Sequence, residues 1–201
     1  MHLRLLSVST FSIFVGLLVL GGGPVAAQNY SLAANAGDML ELGTLGLEAS
    51  VGLSQHWSAT AGAKFNPWTF RSKDTYNGLY NDPNPDQMQD RRQQYSLGAR
   101  FWPWHVFSGL WIGGKAQYEE YNRGGLLNDR TTEGDAFGGA LSGGYSLMIR
   151  DNINLDFGVG LWGGWTKYTT YNCPSCGTVL DKGSKMFLLP NEVILAFVYI
   201  F

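Results

Sequence analysis

From Tyr30 onward, apolar and polar residues alternate with period two, and no stretch keeps a convincing helical period. Alternation of this kind builds strands with one greasy and one polar face. It predicts eight strands, over Tyr30–Met39, Glu41–Leu53, Trp57–Phe70, Arg92–Trp102, Gly109–Tyr121, Gly134–Ile149, Ile153–Tyr171 and a closing one that ends in Asn191–Phe201. In the second, Leu45, Leu47, Ala49 and Val51 share one face and Gly46, Glu48, Ser50 and Gly52 the other. In the fifth, Leu110, Ile112, Ala116 and Tyr118 alternate with Gly113, Lys115, Gln117 and Glu119. The connections Ser54–His56, Pro103–Ser108 and Arg150–Asn152 are short, whereas Arg71–Arg91, Asn122–Glu133 and Asn172–Lys185 are long and polar. Short and long links alternate, so with both termini on one side all three short turns fall on that side. This is the asymmetry of bacterial outer-membrane barrels, whose periplasmic turns are short and external loops long. The link between the first two strands would then be external and unusually short.

The closing stretch carries the argument for closure. Val193, Leu195, Phe197, Tyr199 and Phe201 fall on one face, and Glu192, Ile194, Ala196 and Val198 on the other. A membrane-crossing strand needs about 9–11 residues, which this stretch supplies; a crossing helix needs roughly 20. Its terminal aromatic residue resembles the signal that the outer-membrane barrel-assembly machinery reads. A strand buried in a soluble sandwich has the same composition, so the rest of the chain must decide. Hydrocarbon offers no partner to a backbone N–H or C=O, and an open sheet edge there costs several kcal/mol per group. If the greasy faces meet lipid, the first and last strands must pair.

Composition agrees with this picture. Charged residues are only 15% of 201, aromatics 14%, there are 27 Gly, and mean hydropathy is −0.09. A helical membrane bundle would be far more apolar, and a net charge of −2 points away from nucleic acid. The first residues read as an export signal: a basic head at Met1–Arg4, an apolar core over Leu5–Leu20, a break at Gly21–Pro24, and small residues Val25–Ala27 before a cut at Gln28. The expected organisation is a signal peptide over 1–27 and one outer-membrane β-barrel domain over 28–201. Trp57, Trp102, Trp104, Phe107 and Trp111 are expected to flank the periplasmic turns, and Phe65, Trp68, Phe70, Tyr118, Tyr121, Trp165, Tyr168 and Tyr171 to ring the outer end, at the two headgroup levels.

Candidate chemistry is sparse. The inward faces carry Glu48, Lys64, Arg100, Lys115, Glu119, Asp156 and Glu192. Inward side chains fill the lumen of a small barrel, and unpaired buried charges are costly, so a polar network of salt bridges is expected rather than an ion path. Cys173 and Cys176 form a C-x-x-C in a predicted external loop, where an oxidising compartment favours a local disulfide over redox or metal chemistry. His56 and His105 sit at short turns, away from the outer rim where a barrel hydrolase would need a base. The spacing of Asp82, Asp86 and Asp90 fits no calcium loop, and they are read as solvated loop residues. No G-x-S-x-G, Walker loop or H-E-x-x-H is present.

The segments Gly46–Ser58, Phe65–Phe70 and Leu97–Trp102, a strand–turn–strand with a Trp after the turn and an Arg-aromatic-Trp before the next, resemble an uncharacterised family of small Bacteroidetes outer-membrane proteins, a domain-of-unknown-function family. The resemblance implies an outer-membrane barrel without assigned catalytic residues. Some members lie beside fimbrial genes, which implies a part in surface assembly. The combined expectation is a closed antiparallel transmembrane β-barrel of about eight strands, with both termini periplasmic and a structural or surface-interaction role. It has no catalytic site, cofactor or metal. Its partners are outer-membrane lipid, the barrel-assembly machinery and a surface protein met through the loops. A lipid-modifying barrel enzyme and a narrow channel are the alternatives.

Overall fold

A computed structural model describes residues 29–40, 43–71, 87–124, 130–172 and 178–201. The chain forms β1 (Tyr30–Asn35), β2 (Leu45–Gly52), β3 (Trp57–Asn66), β4 (Thr69–Arg71), β5 (Gln87–Phe101), β6 (Gly109–Gly124), β7 (Thr131–Arg150), β8 (Ile153–Tyr171) and β9 (Val179–Ile200), with one 3-10 turn, Ala36–Leu40, after β1. Each strand pairs antiparallel with its neighbour in sequence, except that β3 and β4 do not pair with each other, and β1 pairs with β9. Both β3 and β4 pair with β5 and act as two parts of one wall strand, so the result is a closed eight-stranded barrel. Closure runs from Ser31 opposite Ile200 to Asn35 opposite Ala196.

The register sets the tilt. A row of partners starting at Phe197 passes through Ala34, Leu47, Ala63, Tyr95, Tyr118, Phe137 and Trp165, and returns to β9 at Met186, eleven residues up the same strand. A stagger of that size inclines the strands by about 35–45° to the axis. Every residue in this row faces outward. The next outward row, Phe65, Gln93, Glu120, Asp135, Lys167 and Ser184, turns polar after Phe65. Below the boundary the outer surface is apolar: Leu97, Leu141, Val159, Phe197 and their neighbours are exposed. Along β7 this band runs from Phe137 to Leu147, and ten residues at about 3.4 Å each, inclined as above, span about 25 Å.

Several boundaries differ from the alternation. Gln87–Arg91, Asn122–Gly124, Thr131–Glu133 and Val179–Lys185, expected as loop, are paired strand. Above the polar row both faces are polar, so hydropathy stops alternating while the ladder continues. The third strand breaks at Pro67, which has no N–H for the ladder; Trp68 N–H bonds to the Asn66 side chain instead. The first strand ends at Asn35, not Met39, and the second begins at Leu45. Residues 1–27, Cys173, Cys176, Asp82 and Asp86 lie outside the described residues.

Candidate functional site: the filled lumen

The interior is layered. At the end that carries the short turns, Trp102, Val106, Phe107 and Trp111 fold inward and pack on Ala33, Ile194, Ala196, Val198 and Ile200. This overturns the expectation that Trp102, Phe107 and Trp111 ring the headgroup level. Trp102 and Trp111 are each 1% exposed, whereas Trp57 and Trp104 do lie on the surface. The cause is parity. Trp102 continues the inward series of Gly98 and Arg100, and Trp111 that of Gly113 and Lys115, so the rings enter the lumen. Trp102 Nε1 donates to Ser58 Oγ at 3.0 Å. The Trp111 ring lies over Gly144 and Gly158, where a Cβ would stand 2.8 and 3.2 Å from its Cζ2. Phe107 takes a left-handed backbone, φ 63°, and its carbonyl accepts from Asn154 Nδ2 at 2.5 Å.

Above the aromatic plug lies a layer of ion pairs. Arg100 bridges two carboxylates, Glu48 and Asp156, the latter at 3.2 Å, and its Cζ stands 4.3 Å from the Trp111 ring centroid. Asp156 also accepts from Ser146 Oγ at 2.5 Å. Next to this group, Lys115 Nζ reaches Glu192 at 2.7 Å and Lys64 Nζ reaches it at 3.5 Å, while Lys64 binds Asp38 at 2.6 Å. Six of the seven charged residues picked from the alternation therefore meet in one layer. The seventh, Glu119, stands apart and higher, paired with Arg123 at 2.8 Å. The space left among the layer's side chains is a cavity of about 40 Å³.

The upper lumen is divided by side. One wall is apolar, with Ala136, Ala140 and Trp162 packed against Tyr121 and Phe187. The other carries Arg92, Gln94, Gln117 and Glu119, all buried. Asp90 belongs here, 3% exposed, bonded to Arg92 at 2.8 Å and Arg123 at 3.0 Å. This corrects its reading as a solvated loop residue: β5 continues above the apolar band and carries Asp90 inward. Tyr121 likewise points inward, its hydroxyl 2.8 Å from Thr166 Oγ1. At the rim, Tyr171 donates to Glu133 at 2.6 Å, and that bond to a carboxylate raises the phenol pKa. Three residues lower on β8, Tyr168 donates to Asp181 at 3.1 Å with the same effect.

His56 Nδ1 lies 2.9 Å from the Trp102 carbonyl and His105 Nδ1 3.0 Å from that of Val106, both at the plugged end. Among the described residues no group of three or more His, Cys, Asp or Glu is placed to hold a metal ion. Asn154 follows from the alternation as an inward neighbour of Asp156, whereas Asp38, Asn35, Ser146 and Trp162 are further lumen residues that the candidate set lacks. Parity alone reaches Ser146, opposite in face to Tyr145 and Leu147, and Trp162, in the inward series of Asp156. Asp38 is reached only because the 3-10 turn folds over the rim. Asn35 starts that turn, its Oδ1 accepting from Gly37 N–H at 3.0 Å and Leu195 N–H at 2.9 Å, while its Nδ2 donates to Val193 O at 3.2 Å.

These features define a small antiparallel β-barrel, closed by its first and last strands and filled by an aromatic plug, an ion-pair layer and a two-sided upper chamber. The chain belongs to the family described as Protein of unknown function (DUF3575), whose model matches residues 13–201. None of the curated proteins matches it.

Proposed function

We propose that this protein is a non-conducting outer-membrane barrel with both termini periplasmic, made as a precursor whose segment 1–27 is removed on export. Lipid surrounds its apolar band, and the barrel-assembly machinery recognises β9. The polar upper strands and external loops meet a surface protein partner, in fimbrial or envelope assembly. The observation that supports this most is the outer surface: exposed aliphatic and aromatic rows encircle a closed barrel and stop at a polar row above Tyr95, Tyr118, Phe137 and Trp165. The span of that band matches the roughly 25 Å apolar belt of outer-membrane barrels. Loops on a rigid scaffold are where recognition residues gather, which favours an interaction role over a catalytic one.

In cell fractionation the protein is expected in the outer membrane, and without boiling it should migrate faster on a denaturing gel than after boiling. Recovery as a soluble periplasmic protein with unchanged migration overturns the proposal. The buried Trp102 and Trp111 across one end and the seven charged side chains paired above them support the absence of conductance. Purified protein in planar bilayers should give a flat current trace. Reproducible single-channel steps would favour the channel reading instead.

A further inference from the structure

Among the described residues the barrel wall is complete around its lower half only. β1 has 6 residues and β2 has 8, against 16 to 22 in β6 to β9. Above Val193, β9 continues to Val179 with β8 as its one strand partner among the described residues. The 3-10 turn forms a sill below this gap: Gly37 lies so close to β9 that a Cβ would stand 2.1 Å from the Val193 oxygen. Asn35 satisfies the β9 backbone there, and β3 bounds the far side.

Exposure records the missing wall. Leu189 is in register with Trp162 and so faces the interior, yet it is 47% exposed where Trp162 is 4%. The free edge of β9 is greasy on both faces. Met186 and Leu188 face outward, 69% and 73% exposed, and Phe187 and Leu189 face inward, Phe187 with its ring 4.6 Å from that of Trp162. Leu188 sits one outward row below Met186, the partner of Trp165, and so lies within the apolar band. Apolar surface therefore passes unbroken from the outer face of β9, around its edge, to the buried wall of Ala136, Ala140 and Trp162. Trp162 Nε1 is buried there with no hydrogen-bond partner. A cavity of about 760 Å³ extends above, from Phe65 and Pro67 across to Lys182 and Ser184.

The geometry points to a lateral opening: between β3 and β9 the upper lumen communicates with the membrane and takes the acyl chain of a membrane lipid against Leu189, Phe187 and Trp162. This rests on the outer-membrane reading above. The competing occupant of a free edge is an added strand, and this edge is blunted against one. Pro190 has no N–H to offer, the β8–β9 ladder shifts register beside it, and Lys182 and Lys185 follow. An acyl chain makes no demand on the edge's hydrogen bonds.

The test is photo-cross-linking of the full mature protein in nanodiscs of phosphatidylethanolamine and phosphatidylglycerol doped with a phospholipid carrying a mid-chain diazirine, with adducts mapped by mass spectrometry. Adducts are expected on inward Trp162, Phe187 and Leu189 as well as on outward Leu141 and Phe197. Leu189→Glu should lose the Trp162 adduct while keeping the outward ones and the heat-modifiable migration. Adducts confined to outward residues overturn the lateral opening and leave the membrane reading intact; no adduct on any strand overturns the membrane reading itself. Photo-leucine at position 188 that captures protein in place of lipid identifies a strand or loop as the occupant, and also overturns the opening.

Discussion

Arg100→Met lowers the unfolding free energy of the barrel by about 3–5 kcal/mol, the cost of breaking a buried ion pair from one side. Its guanidinium is shared between Glu48 and Asp156, and the side chains of Arg100 and Asp156 are 13% and 3% exposed. Removing it leaves two carboxylates facing each other in a low-dielectric interior, and takes the cation from the Trp111 ring. The pair itself need not favour folding over an apolar filling; the loss comes from the uncompensated charge. Arg100→Met combined with Glu48→Gln and Asp156→Asn is therefore expected to recover most of the stability. Urea unfolding of the protein in lipid vesicles, followed by tryptophan fluorescence, measures both. A single Arg100→Met change within about 1 kcal/mol of the parent, as for an exposed pair, would show that this layer is hydrated and that the lumen is not filled as described.

Trp102→Ala is expected to cost a further about 3–5 kcal/mol, the range for truncating a buried aromatic side chain. The ring lies 5.9 Å from Phe107 and 6.2 Å from Trp111, and its indole N–H is the partner of Ser58. Its near neighbour Trp104 is 64% exposed, and Trp104→Ala should stay within about 0.5 kcal/mol, as surface substitutions do. The contrast is the test. Equal effects of the two substitutions in the same urea titration would place Trp102 outside the lumen, at the interfacial level that its position beside a turn suggests.

Legibility followed the period of the side chains. The outward and inward sets of β2, β6 and β9 were readable because successive residues on a strand must point to opposite faces, whatever lies beside them. Glu48, Lys64, Arg100, Lys115, Asp156 and Glu192 were picked by that rule, and they share one layer. The same rule, carried one residue further at each end of the β5–β6 turn, would have sent Trp102 and Trp111 inward; composition beside a turn suggested the membrane interface instead. Above the apolar band the rule fails, because Asp90 and Arg123 stand among residues that are polar on both faces, and such a stretch has the pattern of a loop.

The number of wall strands and the alternation of their faces were determined by the sequence alone, since they depend only on the local period of side chains; the pairing of β1 with β9 satisfies the backbone groups of both edges. Which residues meet across the lumen was decided by the tertiary structure. Glu119 sits above the ion-pair layer and Asp38 within it because of the stagger between strands and the fold of a five-residue turn over the rim. The gap that the described residues leave above Asn35 and Leu45 has the same origin: height in a tilted barrel is a property of the closed circuit, and no single strand encodes it.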